Sequence, residues 1–235
     1  MTAPDVSVVA ASTERLLRTL GEPAVAVTAP SLLPGWSIGH VLTHIARNAD
    51  GNRRMLEGAA RGEVLDQYVG GAESRAADIE AGAGRPLDVI VADVRASAAS
   101  LAAALSAMPA DAWHRPVRML SGEYPATRIV RGRRREVEIH HVDLGLAYRP
   151  IDWPADMVTE ELAGAADELG SRLPLGTALR MVATDTRAAW EVGNGPASMA
   201  VSGPAPWLLA WLIGRRVPAG ILHAPAGLPS LRSWG

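Results

Sequence analysis

Residues 87–108 read LDVIVADVRASAASLAAALSAM, and this stretch decides the fold class. Its larger apolar residues recur every three or four positions, at Leu87, Ile90, Val91, Val94, Ala98, Leu101, Leu105 and Met108. That spacing places them on one face of an α-helix. Pro86 suits the first turn of such a helix, where its missing N–H is not needed. The stretch therefore predicts an amphipathic helix that buries one face in a core.

Three other segments of the first 150 residues show the same helical spacing. They cover residues 8–20, 38–60 and 127–148. Ser37 is a suitable N-cap for the second of them. The signal is weak in residues 62–84, where only 77–80 suggest a short helix, and residues 109–126 are interpreted as a connection. Four helices, each with an apolar stripe, predict a helical bundle.

The pattern changes after Arg149-Pro150 and Trp153-Pro154, because proline restricts both itself and the residue before it. Helices are predicted over 155–173 and 206–214, and strands over 179–184, 188–192 and 198–201, with Gly193-Asn194-Gly195 as a turn. A tail rich in proline and glycine follows from residue 217 to 235. We therefore expect an α+β protein with a helical bundle over 1–150 and a small α+β domain over 151–235.

Composition excludes several kinds of chemistry. The chain has 235 residues with no cysteine, and its 23 basic residues are all arginine. There can be no disulfide, no cysteine-ligated metal and no protein thiol nucleophile. The absence of lysine excludes Schiff-base catalysis.

The charge balance argues against nucleic acid and membrane partners. The formal net charge is −2, which produces no field that attracts a polyanion. We therefore interpret the run Arg131, Arg133, Arg134 and Arg135 as a solvated helix face. The apolar stretches, such as 207–213, fall short of the ~20 residues of a membrane helix, and the N-terminus lacks the features of a signal peptide. We expect a soluble cytoplasmic protein.

Two helices carry residues that suit a metal. Glu136 and His140 are four residues apart on the last bundle helix, and so share one face. Glu138 and His141 also fit helical spacing, so both pairs remain candidates. On the second helix His44 lies a turn deeper than His40, which sits beside the N-cap, so His44 is preferred. Two histidines and one carboxylate with an open position are a common catalytic zinc set. Asp143 lies on the same face as His140 and could orient a ligand imidazole.

Four segments resemble the mycothiol-dependent maleylpyruvate isomerases, within the wider superfamily of DinB-like metal-binding bundles. They read PSLLPGWSIGHVLTHIARNAD at 30–50, GGAESRAADIEAG at 70–82, REVEIHHVDL at 135–144 and LLAWLIGR at 208–215. They occur in order over most of the chain. The helix motifs alone indicate only the superfamily, whereas the first two segments point to the isomerases.

The resemblance implies a DinB-like four-helix bundle that holds a divalent metal, most often zinc, and a C-terminal α+β domain. Its His/Glu/His ligands fall on His44, Glu136 and His140. An essential arginine falls on Arg215, and a further arginine near the site falls on Arg75. The implied cofactors are the metal and mycothiol, a thiol of actinobacteria with GC-rich genomes.

The implied reaction converts maleylpyruvate to its trans isomer, fumarylpyruvate. A metal-activated thiolate adds to the alkene, the carbon–carbon bond rotates and the thiolate leaves. The thiol must come from a cofactor because the chain has no cysteine. The alternatives are a mycothiol S-transferase that acts on another electrophile and a non-enzymatic metal-binding module. The expected partners are small molecules, and the assembly is a monomer or small homo-oligomer.

Overall fold

A computed structural model describes residues 3–21, 25–173, 178–193, 199–229 and 231. The chain divides into two compact units, Met1–Tyr148 and Arg149–Gly235. The first unit is mainly helical, and the second combines helices with a small sheet. The expectation of an α+β protein is therefore confirmed.

The first unit contains five described α-helices rather than four. They are α1 (Ser7–Thr19), α2 (Ile38–Arg61), α3 (Gly71–Ala83), α4 (Leu87–Ser106) and α5 (Arg128–Asp143). The helix α2 begins where its cap predicts, because the Ser37 hydroxyl accepts a hydrogen bond from the backbone N–H of His40. It ends at Gly62, which adopts the left-handed conformation that favours glycine.

The apolar stripes meet in the centre of this unit. Leu42 and Ile45 of α2 pack with Ile90 and Val94 of α4, and all four are fully buried. Leu16 of α1 joins the same cluster. Burying a side chain of this size stabilises a fold by about 1.5–3 kcal/mol. The predicted stripe of α4 is therefore the side of the helix that faces the core.

The helix α3 is much longer than the expected helix at 77–80. Its pattern is weak because Ile79 is the only large apolar side chain that it buries. Two glycines bring it close to α2. A Cβ on Gly39 would lie 2.0 Å from the carbonyl oxygen of Ala83, and a Cβ on Gly82 would lie 2.5 Å from Cγ2 of Thr43. This close approach fixes α3 against the N-terminal half of α2.

Residues 109–126 are more ordered than the predicted connection. A 3-10 helix (Ala112–His114) leads into the strands β1 (Pro116–Met119) and β2 (Gly122–Pro125), which pair antiparallel. The strands are only four residues long and are bounded by prolines, so the alternation on which a strand prediction depends is too short to stand out.

The helix α5 ends earlier than predicted, at Asp143 instead of Tyr148. Leu144 caps it, and Gly145 then takes a positive φ of 70° that an α-helix cannot accommodate. This glycine ends the helix, and the spacing of apolar residues alone does not reveal it.

The second unit contains α6 (Ala155–Arg172), β3 (Ala178–Ala183), β4 (Ala189–Gly193), β5 (Met199–Gly203) and α7 (Ala205–Leu212). The strand order is β4-β3-β5, with β3 antiparallel to β4 and parallel to β5. The five predicted elements of this region are present, with ends that differ by up to two residues. The predicted turn at 193–195 lies mostly outside the described residues.

One helix in the described part of the chain, α4, is long and apolar enough to cross a membrane by length and composition. Half of its apolar residues are alanines, and it also carries Asp88, Asp93 and Arg95. In this fold its stripe of large apolar residues packs in the core of the bundle.

Candidate metal centre

Three side chains from two helices converge in the first unit. His44 projects from α2, and Glu136 and His140 project from α5. The potential ligand atoms of the three residues all lie within 4.8 Å of one another. Nε2 of His44 is 2.9 Å from Oε2 of Glu136, and Nε2 of His140 is 3.5 Å from the same oxygen. Two imidazole nitrogens and one carboxylate oxygen therefore point at a common position.

The cluster is closed on its imidazole side and more open at its carboxylate. The side chains of His44 and His140 are 4% and 14% exposed, whereas that of Glu136 is 35% exposed. The rings of the two histidines meet edge to face, with their centroids 4.6 Å apart. An external ligand could therefore approach past Glu136 while the histidines stay fixed.

His140 is held from behind by a carboxylate. Its Nδ1 lies 2.9 Å from Oδ2 of Asp143, which is fully buried. Hydrogen bonding at Nδ1 fixes the ring orientation and leaves Nε2 as the nitrogen directed at Glu136. A carboxylate bound to one ring nitrogen of a histidine, with the other ring nitrogen directed at the ligand cluster, is typical of metal sites.

Arg75 reaches His44 from α3. Its Nη2 lies 3.0 Å from Nδ1 of His44, and its guanidinium also lies over the Tyr68 ring, 5.8 Å from the ring centroid. The close packing of α3 on α2 brings this cation to the cluster. Trp36 adds an apolar wall, because its ring meets His44 at a centroid distance of 5.7 Å.

The electrostatics of the cluster suit a cation. Burial lowers the pKa of His44 to about 4, so this imidazole is neutral at pH 7. Burial also opposes the charged form of His140, but hydrogen bonds with Asp143 and Glu136 outweigh it and raise its pKa to about 9. Burial alone would raise the pKa of Glu136, yet hydrogen bonds with His140 and His44 hold it well below its usual range. A proton thus occupies a position where a divalent cation could replace it.

The alternative histidine on α2 is used elsewhere. Nδ1 of His40 lies 2.7 Å from the Ser37 hydroxyl and completes the cap of α2, while its Nε2 is 3.1 Å from Glu80. Both ring nitrogens therefore already have partners.

The alternative pair on α5 points to a different neighbour. Glu138 is fully buried and forms an ion pair with Arg15 of α1. Nε2 of His141 lies 2.8 Å from the Thr19 hydroxyl, and its ring stacks on Tyr148. The structure thus separates the two pairs that helical spacing alone left open.

The interpretation of the arginine run as a solvated face is wrong. Arg133 is 1% exposed and Arg134 is 9% exposed, while Arg131 and Arg135 are half-buried. A count of charges could not show this, because the run lies on a helix that packs on two others, α1 and α2.

Sequence reasoning also missed a buried polar stripe that follows His44 along α2. Asn48 lies one turn after His44 on α2 and accepts a hydrogen bond from Nη1 of Arg133 at 2.8 Å. Asn52 continues the same buried stripe and donates to Asn48. The polar spacing of four residues from His44 to Asn48 and Asn52 was a signal that could have identified them.

Arg215 belongs to the second unit. It lies shortly after the end of α7 at Leu212, is half-buried, and donates from Nη1 to the carbonyl oxygen of Ile213 at 3.0 Å.

The chain was compared with known proteins. Residues 9–145 match the family model described as the mycothiol maleylpyruvate isomerase N-terminal domain. Two solved structures are similar over the chain: the mycothiol-dependent maleylpyruvate isomerase and a single-residue mutant of it. Both are 25% identical to this chain, and each match covers 97% of this chain and 95% of the other. The TM-scores are 0.87 for the former and 0.88 for the mutant. No curated protein matches. Since the family model spans more than half of its length, the chain belongs to the mycothiol maleylpyruvate isomerase N-terminal domain family.

Proposed function

We propose that this protein is a mycothiol-dependent cis–trans isomerase that converts maleylpyruvate to fumarylpyruvate. One observation carries the proposal: His44, Glu136 and His140 form a three-donor cluster with a guanidinium beside it, in a chain that has no cysteine. The family membership and the similar isomerase structures support the same assignment.

The donor set fits a divalent metal, and we propose His44, Glu136 and His140 as its ligands. Two neutral imidazoles and one carboxylate are a common catalytic zinc set, and three protein ligands leave a position for an external group. When bound, such an ion lowers the pKa of a coordinated thiol, and mycothiol supplies the sulfur nucleophile that lets the double bond of the substrate rotate. Asp143 keeps the His140 ring oriented for this role.

Arg75 is proposed to hold a carboxylate of the substrate. In the structure its N–H points at Nδ1 of His44, so that nitrogen carries no proton. A metal on Nε2 of His44 would move the ring proton to Nδ1, and two donors then face each other. Arg75 would then lose this acceptor, and its planar guanidinium would be available for a bidentate contact with an anion. Arg215 is proposed as a second anion-binding arginine.

The deciding experiment is an isomerase assay with the purified protein. Maleylpyruvate should be converted to fumarylpyruvate when mycothiol is present, and conversion should stop without mycothiol or after the metal is removed by a chelator. Conversion of another electrophile to a mycothiol conjugate, with no isomerisation of maleylpyruvate, would instead identify an S-transferase. Protein purified without metal, which takes up none on addition of zinc, would overturn the proposed metal centre. The proposed activity requires only small-molecule partners and fits a cytoplasmic monomer or small homo-oligomer.

A further inference from the structure

Arg133 is a cation in the centre of the helical unit. It projects from α5, is 1% exposed, and is among the largest fully buried side chains. Its Nη1 donates to the carbonyl oxygen of Ile45 and to Oδ1 of Asn48, both at 2.8 Å. Nε and Nη2 are buried and have no hydrogen-bond partner. A guanidinium in this state is costly for the fold, because a buried charge with unsatisfied donors loses its hydration without full compensation.

The charge persists in spite of burial. Burial lowers the pKa of Arg133 to about 10, which still leaves it protonated at neutral pH. Within the described residues no carboxylate forms an ion pair with it, although Glu136 lies near enough to act on it electrostatically. The protein therefore retains a positive charge in its interior that its own hydrogen bonds do not explain.

Its position connects it to the candidate metal centre on both helices. Arg133 precedes Glu136 by three residues on α5, and its partner Asn48 follows His44 by four residues on α2. Each spacing is about one helical turn, a pitch of about 5.4 Å. Arg133 thus lies one helical turn from Glu136 on α5 and contacts α2 one turn from His44.

We propose that the positive charge of Arg133 makes the metal centre bind an anionic ligand in preference to a neutral one. This rests on the function proposed above. Arg75 and Arg133 equal Glu136 and Asp143 in number of charges around the centre, and Asp50, which also acts on Arg133, is paired with Arg47. A divalent ion would therefore add positive charge that these groups do not neutralise. In an interior of low dielectric constant this excess favours anions and disfavours neutral ligands. A thiolate and a dicarboxylate substrate have the required charge.

The proposal makes three connected predictions for a neutral replacement, Arg133→Met. The metal-free variant should melt at a temperature at least as high as the wild type, because an apolar side chain removes the unsatisfied donors. Its affinity for Co²⁺ should rise about tenfold, because one repelling charge is lost. The affinity of the cobalt-loaded protein for the thiolate of 2-mercaptoethanol should fall about tenfold for the same reason.

The experiment compares the wild type with Arg133→Met, Arg133→Gln, Arg133→Lys and Asn52→Leu. Cobalt affinity is measured by competition with a chelator, and thiolate binding by the sulfur-to-cobalt absorption band. Arg133→Lys keeps the charge and should behave as the wild type in both. Asn52→Leu removes a buried polar contact one turn further along α2 without changing charge, and should alter neither affinity. Arg133→Gln keeps one donor and decides the outcome if Arg133→Met does not fold.

The contrary outcomes are distinct. If Arg133 serves only to join α5 to α2 through its hydrogen bonds, Arg133→Gln should melt at a lower temperature than the wild type. It should then bind cobalt and thiolate with unchanged affinity. That result would overturn the inference and leave the proposed function standing. A wild-type protein that binds no cobalt would overturn the proposed metal centre, and this inference with it.

Discussion

The two faces of α5 carry the same residue types but make different contacts. On one face Glu136 and His140 converge with His44 and leave a common point between their ligand atoms. On the other face Glu138 pairs with Arg15, and His141 contacts Thr19 and stacks on Tyr148. Successive residues of a helix are rotated by about 100°, so a shift of one or two positions changes the neighbouring helix.

The contacts made by the neighbouring helix, and not the residue type, decide the role of each glutamate on α5. Glu138 meets the guanidinium of Arg15, which neutralises its charge. Glu136 meets two imidazoles, which share its charge without supplying a permanent cation. The first arrangement ties α5 to α1, and the second holds a proton that a divalent metal could displace.

The largest effect is expected for His44→Ala. The variant should lose bound metal, and with it isomerase activity by at least about a thousandfold, because one of three ligands is removed. His141→Ala on the other face of α5 is the matched control and should retain metal. Elemental analysis of the two purified proteins and the isomerase assay test this difference. Full metal content in His44→Ala would contradict the assignment of the ligands.

The next effect separates the two carboxylates. Glu138→Ala should lower the free energy of unfolding by about 3 kcal/mol, because it leaves Arg15 without its buried partner, and should leave metal binding intact. Glu136→Ala should instead abolish metal binding and leave the free energy of unfolding nearly unchanged. Denaturant unfolding gives the stability of both variants, and metal titration gives their metal binding. If Glu138→Ala also abolished metal binding, the two faces would not be independent.

A smaller effect is expected for Asp143→Asn, which keeps the shape of the side chain and removes its charge. Metal affinity should fall about 10–100-fold, because the carboxylate behind a ligand histidine orients the ring and increases its basicity. Competition with a chelator gives the affinity. An unchanged affinity would show that the contact with His140 has no part in metal binding.

The smallest effect is expected for His40→Ala. The free energy of unfolding should fall by about 1 kcal/mol, because the cap of α2 loses one half of its reciprocal hydrogen bonds. Metal content should not change, because both ring nitrogens of His40 are engaged elsewhere. Loss of metal from this variant would place His40, rather than His44, in the centre.

Sequence patterns were informative where an element is long and amphipathic. The stripe of α4 and the cap of α2 were predicted from local spacing and are present in the structure. The helix α3 and the hairpin of β1 and β2 were not, because α3 buries few apolar residues and each strand has only four. Their positions depend on packing, such as the approach of Gly39 to Ala83, which has no periodic signal.

The sequence by itself determined the fold class, the absence of a protein thiol and a short set of candidate ligands, because composition and helical spacing are local properties. It could not choose between the two pairs on α5 without the resemblance, since both fit a helix equally well. Tertiary structure decided which pair faces α2, that Arg75 reaches His44, and that Arg133 is buried instead of solvated. These facts depend on which helices become neighbours, and that is fixed only when the apolar stripes pack together.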